Sequence, residues 1–340
     1  MASDESRSLP GDESRSLPGA VYSGVPVIGA DLGGTKLSVA AFNDEGDIIA
    51  REVTPLGGRS GADVGVLIAE RIKSMNAQHR AAAAGVCVPG LYRAGRGTVW
   101  APNIGGWDDY PLLEELRASL GAGALVTIDS DRGAYILGET WRGAARGAAD
   151  AIFLAVGTGI GAGILAGGRV VRGHGDVAGA IGWLAVDRPF MPRYVQHGCL
   201  EDQASGPGLV RVARDLIRPD LTYDGVLSRK NPDELETAAI FAAYEAGDRI
   251  AKGVIDNAIE LWGMAVANLV SLFNPEIIVF GGGVFGPAVQ FLDRIYAESK
   301  RWAQPIGIQQ VRLVASSLGS DAGLYGAGRL AMLAAEGTLS

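Results

Sequence analysis

Two stretches far apart in the chain share one construction. In PVIGADLGGTKLSVAAF (26–42) and in AIFLAVGTGIGAGILA (151–166), an apolar run meets a glycine-threonine turn and continues as a second apolar run. Short apolar runs bounded by turn residues read as strands, and two of them joined by a tight glycine turn read as a hairpin. The two hairpins also continue alike. In the first half, DIIAREV after the Asp44–Gly46 turn is a third antiparallel strand. A helix over about 62–78, the strand AAGVCVP, a helix over 112–120 and the strand-like GALVTIDSD come next. In the second half, RVVRG is a short strand, and a long polar and helical region covers about 198–273. Strand PEIIVFGGG, helix PAVQFLDRIYAES, strand QQVRLVAS and helix AGLYGAGRLAMLAAE complete it. Three hairpin-linked strands followed by alternating helices and strands define an α/β domain on a mixed sheet. Repetition of the plan predicts two similar domains facing each other across a cleft, where small ligands bind.

The 340 residues, 48% hydrophobic, suffice for two cores, and 50 glycines without a Gly-X-Y period mark turns and close backbone approaches. A net charge of −8 speaks against a phosphate-backbone binder, so no nucleic-acid partner is expected. Two cysteines, Cys87 and Cys199, make no disulfide framework and suit a reducing cytoplasm. The start of the chain lacks the apolar segment of a secretory signal. The long apolar stretch 252–280 is broken by Asp256, Asn257, Glu260 and Asn274, and reads as a buried helix and a strand, not a membrane span. Residues 4–11 and 12–19 both read DESRSLPG; this polar duplication predicts a disordered leader over 1–24. It leaves no room for a winged-helix DNA-binding domain before the first strand.

Each motif has a plain reading beside a functional one. DLGGTK (31–36) follows a strand, and its glycines let backbone N–H groups approach a phosphate. It lacks the spacing of a P-loop and also fits a simple hairpin turn. GTGIGAG (157–163) repeats the device. GGGVFG (281–286) fits a dinucleotide fingerprint, but no acid ends the next strand, which lowers that reading. Asp131 stands where a strand yields to a helix, as a helix cap or as a base for a hydroxyl nucleophile. Asn103 fits a turn, Glu201 the first turn of a helix, and Lys36, His174 and His197 fit surface loops.

Taken in order, DLGGTK, APNIGGW, the Asp131 segment, GTGIGAG, AGAIGW, GCLEDQASG, NPEIIVFGGGV and DAGLYGAG resemble the ROK family of sugar kinases, over about residues 26–332. The resemblance implies two ribonuclease-H-like (actin-like ATPase) domains around an ATP cleft. The expected boundaries are 25–129 for the N-terminal domain and 130–319 for the C-terminal one, with the final helix (about 320–336) packing back on the first. Asp31 would hold Mg²⁺, through water. Gly33, Gly34, Thr35, Lys36, Gly157, Thr158 and Gly159 would surround the phosphates, and Gly281, Gly282 and Gly283 the adenosine. Asp131 would be the general base, with Asn103, Glu201, Ser130, Trp183 and Gly90 on the substrate side.

The departures lie on the acceptor side. The family's Asn before the catalytic Asp is Ser130, and its GEIGH is GAIGW, placing Ala180 and Trp183 where Glu and His stand in the family. That His and three Cys of a C-x-C-G-x-x-G-C run hold zinc in the family. The corresponding PRYVQHGC keeps only Cys199, so no structural zinc is expected. These residues together predict a cytoplasmic kinase using ATP and Mg²⁺ on a sugar, polyol or cyclitol, with no membrane partner and, as is common in the family, a homodimeric state. The rivals are a non-catalytic small-molecule sensor and a dinucleotide oxidoreductase.

Overall fold

A computed structural model of the chain describes residues 24–338, apart from 122, 219–221 and 230. Nearly all of the duplicated leader therefore lies outside the described residues. The elements are β1 (Val27–Leu32), β2 (Lys36–Phe42), β3 (Ile48–Pro55), α1 (Ala62–His79), β4 (Ala84–Val88), β5 (Leu91–Arg93), β6 (Thr98–Trp100), α2 (Leu112–Leu120), β7 (Val126–Ser130) and α3 (Asp131–Arg142). They continue with β8 (Ala151–Val156), β9 (Ile160–Ala166), β10 (Arg169–Val170), α4 (Tyr194–His197), α5 (Cys199–Ala204), α6 (Gly206–Ile217), α7 (Thr237–Glu245) and α8 (Arg249–Phe273). The last are β11 (Ile277–Gly281), α9 (Leu292–Trp302), α10 (Gly307–Gln310), β12 (Arg312–Ala315) and α11 (Ala322–Ala335).

Among the described residues two five-stranded sheets form, ordered β3-β2-β1-β4-β7 and β10-β9-β8-β11-β12. In each, two antiparallel pairings give way to two parallel ones, as hairpins followed by crossover helices require. The second meander is shorter: RVVRG contributes only Arg169 and Val170 to the sheet, where they pair with Ala166 and Leu165. The first sheet buries Val39, Val86 and Ile128 against α1 and α2, and the second buries Ile152, Ile164 and Ile278 against the α6–α8 layer.

Helices α3 and α11 join the two halves. Backbone-to-backbone approach is what sets their crossing: a Cβ on Gly326 would strike the Ala134 backbone, and one on Gly138 the Ala322 carbonyl. Helix α11 lies on β1 and β4 of the first sheet, and α3 on β8 and β9 of the second. Buried Glu139 of α3 ties the join. It accepts hydrogen bonds from the Ser316 hydroxyl and from Leu318 N–H in the segment entering α11, and from Ala144 N–H at 2.7 Å.

Candidate active site

The register of the first sheet assembles the acidic centre. Asp31 on β1 pairs with Cys87 on β4, and Cys87 with Asp129 on β7, so the three stand in one row at the strand ends. Asp131 is the first residue of α3. Burial raises the Asp31 carboxyl to about 6, against a hydrogen bond from the Cys87 thiol and the positive charge of Lys36. Burial likewise raises Asp131 to about 6, with the negative charges of Asp31 and Asp129 adding to the shift. Burial pushes the Cys87 thiol well up too, and both aspartates reinforce it, so it stays a neutral donor between them.

Ser130, not Asp131, occupies the cap position of α3, and its side chain makes no capping bond. Among the described residues Asp131 accepts only the adjoining Arg132 N–H, at 2.8 Å. Asp129 does not share this freedom. It accepts Arg172 at 2.5 Å and Ser130 N–H at 2.8 Å, and burial is the largest influence on its raised carboxyl. The Ser130 hydroxyl accepts Tyr92 N–H at 2.9 Å, which anchors the β5–β6 hairpin.

Around these carboxylates stand the glycine turns. The first closes through Gly33 N–H on the Lys36 carbonyl at 2.9 Å. Gly34 is exposed, with the Asn103 amide nitrogen 3.3 Å from where its Cβ would be. Thr35, Lys36 and Asn103 have no hydrogen-bond partner for their side chains among the described residues. In the second turn Gly157 N–H donates to the Gly159 carbonyl at 2.9 Å, and Gly206 N–H to the Gly157 carbonyl at 2.8 Å. Thr158 projects, exposed, from that turn. Gly283 N–H is 4.0 Å from where a Gly157 Cβ would be, so the second and third turns meet.

The third turn divides its labour. Gly281 is buried on Phe153, and Gly282 takes a φ of 89° with its α-carbon against the Val156 carbonyl; both are explained by packing. Gly283 alone faces open space. The glycines lead into two 3-10 turns, and α9 begins only at Leu292. The helix N-terminus that a dinucleotide fingerprint places on the pyrophosphate is therefore absent here.

Beside the second turn, Glu201 Oε2 accepts Ile160 N–H at 2.8 Å, and Oε1 makes no hydrogen bond among the described residues. Burial raises this carboxyl as well. Trp183 ends a 3-10 turn beside it and is 55% exposed; Ala180 before it is exposed. Gly90, at φ 84°, sits against the Trp100 carbonyl and shapes the turn into β5.

Sequence reasoning missed three features. Arg172 reaches back to Asp129, and Asp176 accepts Ala94 N–H at 3.1 Å, so the 172–180 loop is fastened to the first domain at two points. Isolated arginines and aspartates carry no sequence signal for such pairing. Cys87 between the carboxylates is visible only through strand register. At the place of the family's metal-binding run, fully buried Asp202 accepts Arg193 at 2.7 Å and Arg211 at 2.6 Å, while Gln203 donates to Tyr194 and Asp187 at 3.0 Å. No three His, Cys, Asp or Glu side chains gather as a metal site among the described residues.

Two mixed-sheet domains joined by crossing helices, with acids and glycine turns at the strand ends, define an actin-like ATPase fold. Structural comparison agrees: a ROK hexokinase from Thermus thermophilus superposes with a TM-score of 0.78 at 30% identity, covering 91% of this chain and 98% of that one. The chain belongs to the ROK family, whose model matches residues 27–334. A ROK glucokinase from Streptomyces griseus, solved in complex with glucose and AMPPNP, aligns with a TM-score of 0.69 at 30% identity over 90% of this chain and 99% of its own. A glucokinase of Halalkalibacterium halodurans is 32% identical over 89% of this chain and 94% of its own length.

Proposed function

We propose that this protein transfers the γ-phosphoryl group of ATP to a hydroxyl of a sugar or sugar-like polyol, with Asp131 as the general base. The observation that carries the reading is Asp131 itself: a carboxylate at the mouth of a helix, sunk beside Asp31, with no hydrogen-bond partner beyond the adjoining N–H among the described residues. A base poised near 6 is ionised at neutral pH and still able to take a hydroxyl proton.

The acceptor lies against Asn103 and Glu201 Oε1, and Asp131 accepts the proton of the attacking oxygen. The phosphates of ATP lie over Gly34 and Thr158, whose backbone and hydroxyl donors are unspent, with the adenosine side at Gly283. Transfer is in line and rests on positioning and charge neutralisation. The residues present fit a divalent cation. Burial raises the carboxyls of both Asp31 and Asp131, the charge of Asp31 raises Asp131 further, and Lys36 and Arg51 give Asp31 only part of the counter-charge. Asp31 would hold Mg²⁺, through water, and the ion would neutralise charge on the phosphates.

The acceptor is one with fewer or differently placed hydroxyls than glucose or N-acetylmannosamine. Ser130 is engaged by Tyr92, Ala180 has no polar side-chain atom, and Trp183 offers an aromatic face. The same three positions favour the second reading, a binding protein that has lost turnover. Incubation with ATP and Mg²⁺ across a panel of hexoses, deoxysugars, amino sugars and cyclitols, monitored by ADP release, separates the two. ADP release that no acceptor stimulates, in protein that binds AMPPNP, would leave only the sensor.

A further inference from the structure

Behind the join, at the ends of α3 and α11 away from the acidic centre, lies a cavity of about 800 Å³. It falls within the usual range of small-molecule sites, roughly 300–1,000 Å³. Its walls come from both halves: Glu45 from the β2–β3 turn, the last turn of α3 and the loop after it, the β9–β10 hairpin, and the last turns of α11. The floor is apolar, with Leu137, Leu165, Leu330 and Leu333.

The rim is basic on a chain whose net charge is −8. Five arginines line the cavity, with two glutamates. Arg142 is held by Asp47 and Arg172 by Asp129. Arg146 and Arg169 are exposed, and their side chains have no hydrogen bond or ion pair among the described residues. Arg329 is half-buried, and its ion-pair partner is Glu336 at 3.7 Å, beyond hydrogen-bond reach. Three guanidinium groups with unspent donors around an apolar floor match an anion with an organic body. Guanidinium forks bind phosphate oxygens in pairs, which favours phosphate over a simple halide or a neutral sugar.

We propose that this cavity is a second ligand site, taking an organic phosphate of nucleotide or sugar-phosphate size through Arg146, Arg169 and Arg329. Its position gives it leverage on the cleft. Helix α3 carries Asp131 at one end and Arg142 at the other, about 17 Å apart at helical rise. The first turn of helix α11 holds Gly323, packed on the Asp31 carboxylate, and its later turns bring Arg329 and Leu333 to the cavity. A ligand that gathers arginines from α11 and from the β9–β10 side fixes the angle between the two halves. Occupation is therefore coupled to closure of the cleft, by a factor of about 5–150 in an ordinary coupled system.

The test is binding rather than turnover, so it stands apart from the kinase reading. AMP, glucose 6-phosphate, fructose 1,6-bisphosphate and phosphoenolpyruvate are titrated by calorimetry into the full chain, with AMPPNP held saturating to fill the cleft. At least one is expected to bind one-to-one with a Kd below about 1 mM, and which one binds separates a nucleotide from a sugar phosphate. Arg146→Ala with Arg169→Ala is expected to weaken it at least about tenfold. Both side chains are exposed and unpaired, so the fold stands without them; unchanged circular dichroism and Tm check this. The bound probe is also expected to shift AMPPNP affinity in a separate titration. Failure of all four to bind, or binding that the double substitution leaves intact, overturns the site; an unchanged AMPPNP affinity overturns the coupling.

Discussion

The two sides of the cleft differ in how their polar groups are spent. On the nucleotide side, the side chains of Thr35, Lys36 and Thr158 have no hydrogen-bond partner among the described residues, and nothing stands over Gly283. On the acceptor side, Ser130 serves Tyr92, Asp129 serves Arg172, and Asp176 serves Ala94. The side chains of Thr35, Lys36 and Thr158 are exposed and bond water, so a ligand can take them up without breaking a contact within the protein. On the proposed reading, the nucleotide side keeps its polar groups for a constant ligand, whereas the acceptor side is partly rebuilt as structure, with Glu201 Oε1 and Asn103 as its unspent remainder.

The sharpest test of that contrast sits where the sides meet. Asp131→Asn is expected to lower kcat by about 10²–10⁴-fold while AMPPNP affinity stays near normal. An Asn oxygen still accepts Arg132 N–H, so a purely structural Asp131 would leave turnover nearly intact; stopped-time ADP assays decide. On the nucleotide side, Gly34→Val is expected to weaken AMPPNP at least about tenfold. Apart from the Asn103 amide, its Cβ meets open space, so the variant folds and only the phosphates lose room. Calorimetry showing wild-type affinity in this variant would remove the first turn from the site.

A smaller effect is expected on the acceptor side. Ala180→Glu with Trp183→His is predicted to raise kcat/KM for glucose, each restored hydrogen bond to a charged or polar group giving about 1–3 kcal/mol. No gain would mean that Ser130 or the fastened 172–180 loop, rather than these two positions, sets the preference. Smallest is a stability effect. The Asp131 carboxyl rises from 3.8 to about 6 on folding, so its contribution to stability is complete below 3.8 and is lost as pH rises through 6. At pH 7 Asp131→Asn should therefore raise Tm, and the gain should vanish near pH 4. By the same shift, wild-type kcat should climb with pH through about 6 and level off above it. A Tm gain that persists at pH 4 would assign the cost to something other than the buried charge.

The arrangement of elements was open to sequence reading because period and punctuation are local. Alternating apolar runs, glycine turns at their ends and helical spacing in 62–78 or 322–335 survive without any tertiary partner. The glycine runs were legible as turns, but their roles were not. Gly281 and Gly283 look alike in GGGVFG, yet one is wedged against Phe153 and the other faces solvent. What a missing Cβ is for depends on what approaches it, and that atom belongs to a distant part of the chain.

The fold family, the order of the turns and the candidate base were legible in the chain, since each rests on neighbouring residues. Which polar groups remain available was settled by packing between distant segments. Parallel pairing of β1, β4 and β7 puts Asp31, Cys87 and Asp129 in one row, and Arg172 then takes one of the three. Burial lifts the carboxyls of Asp31 in that row and of Asp131 at the start of α3 to about 6, a value that neither residue could reach in water. The arginine-lined cavity behind the join is of the same kind. Its basic residues come from positions 142–172 and 329, and a cavity exists only where packed elements leave space between them.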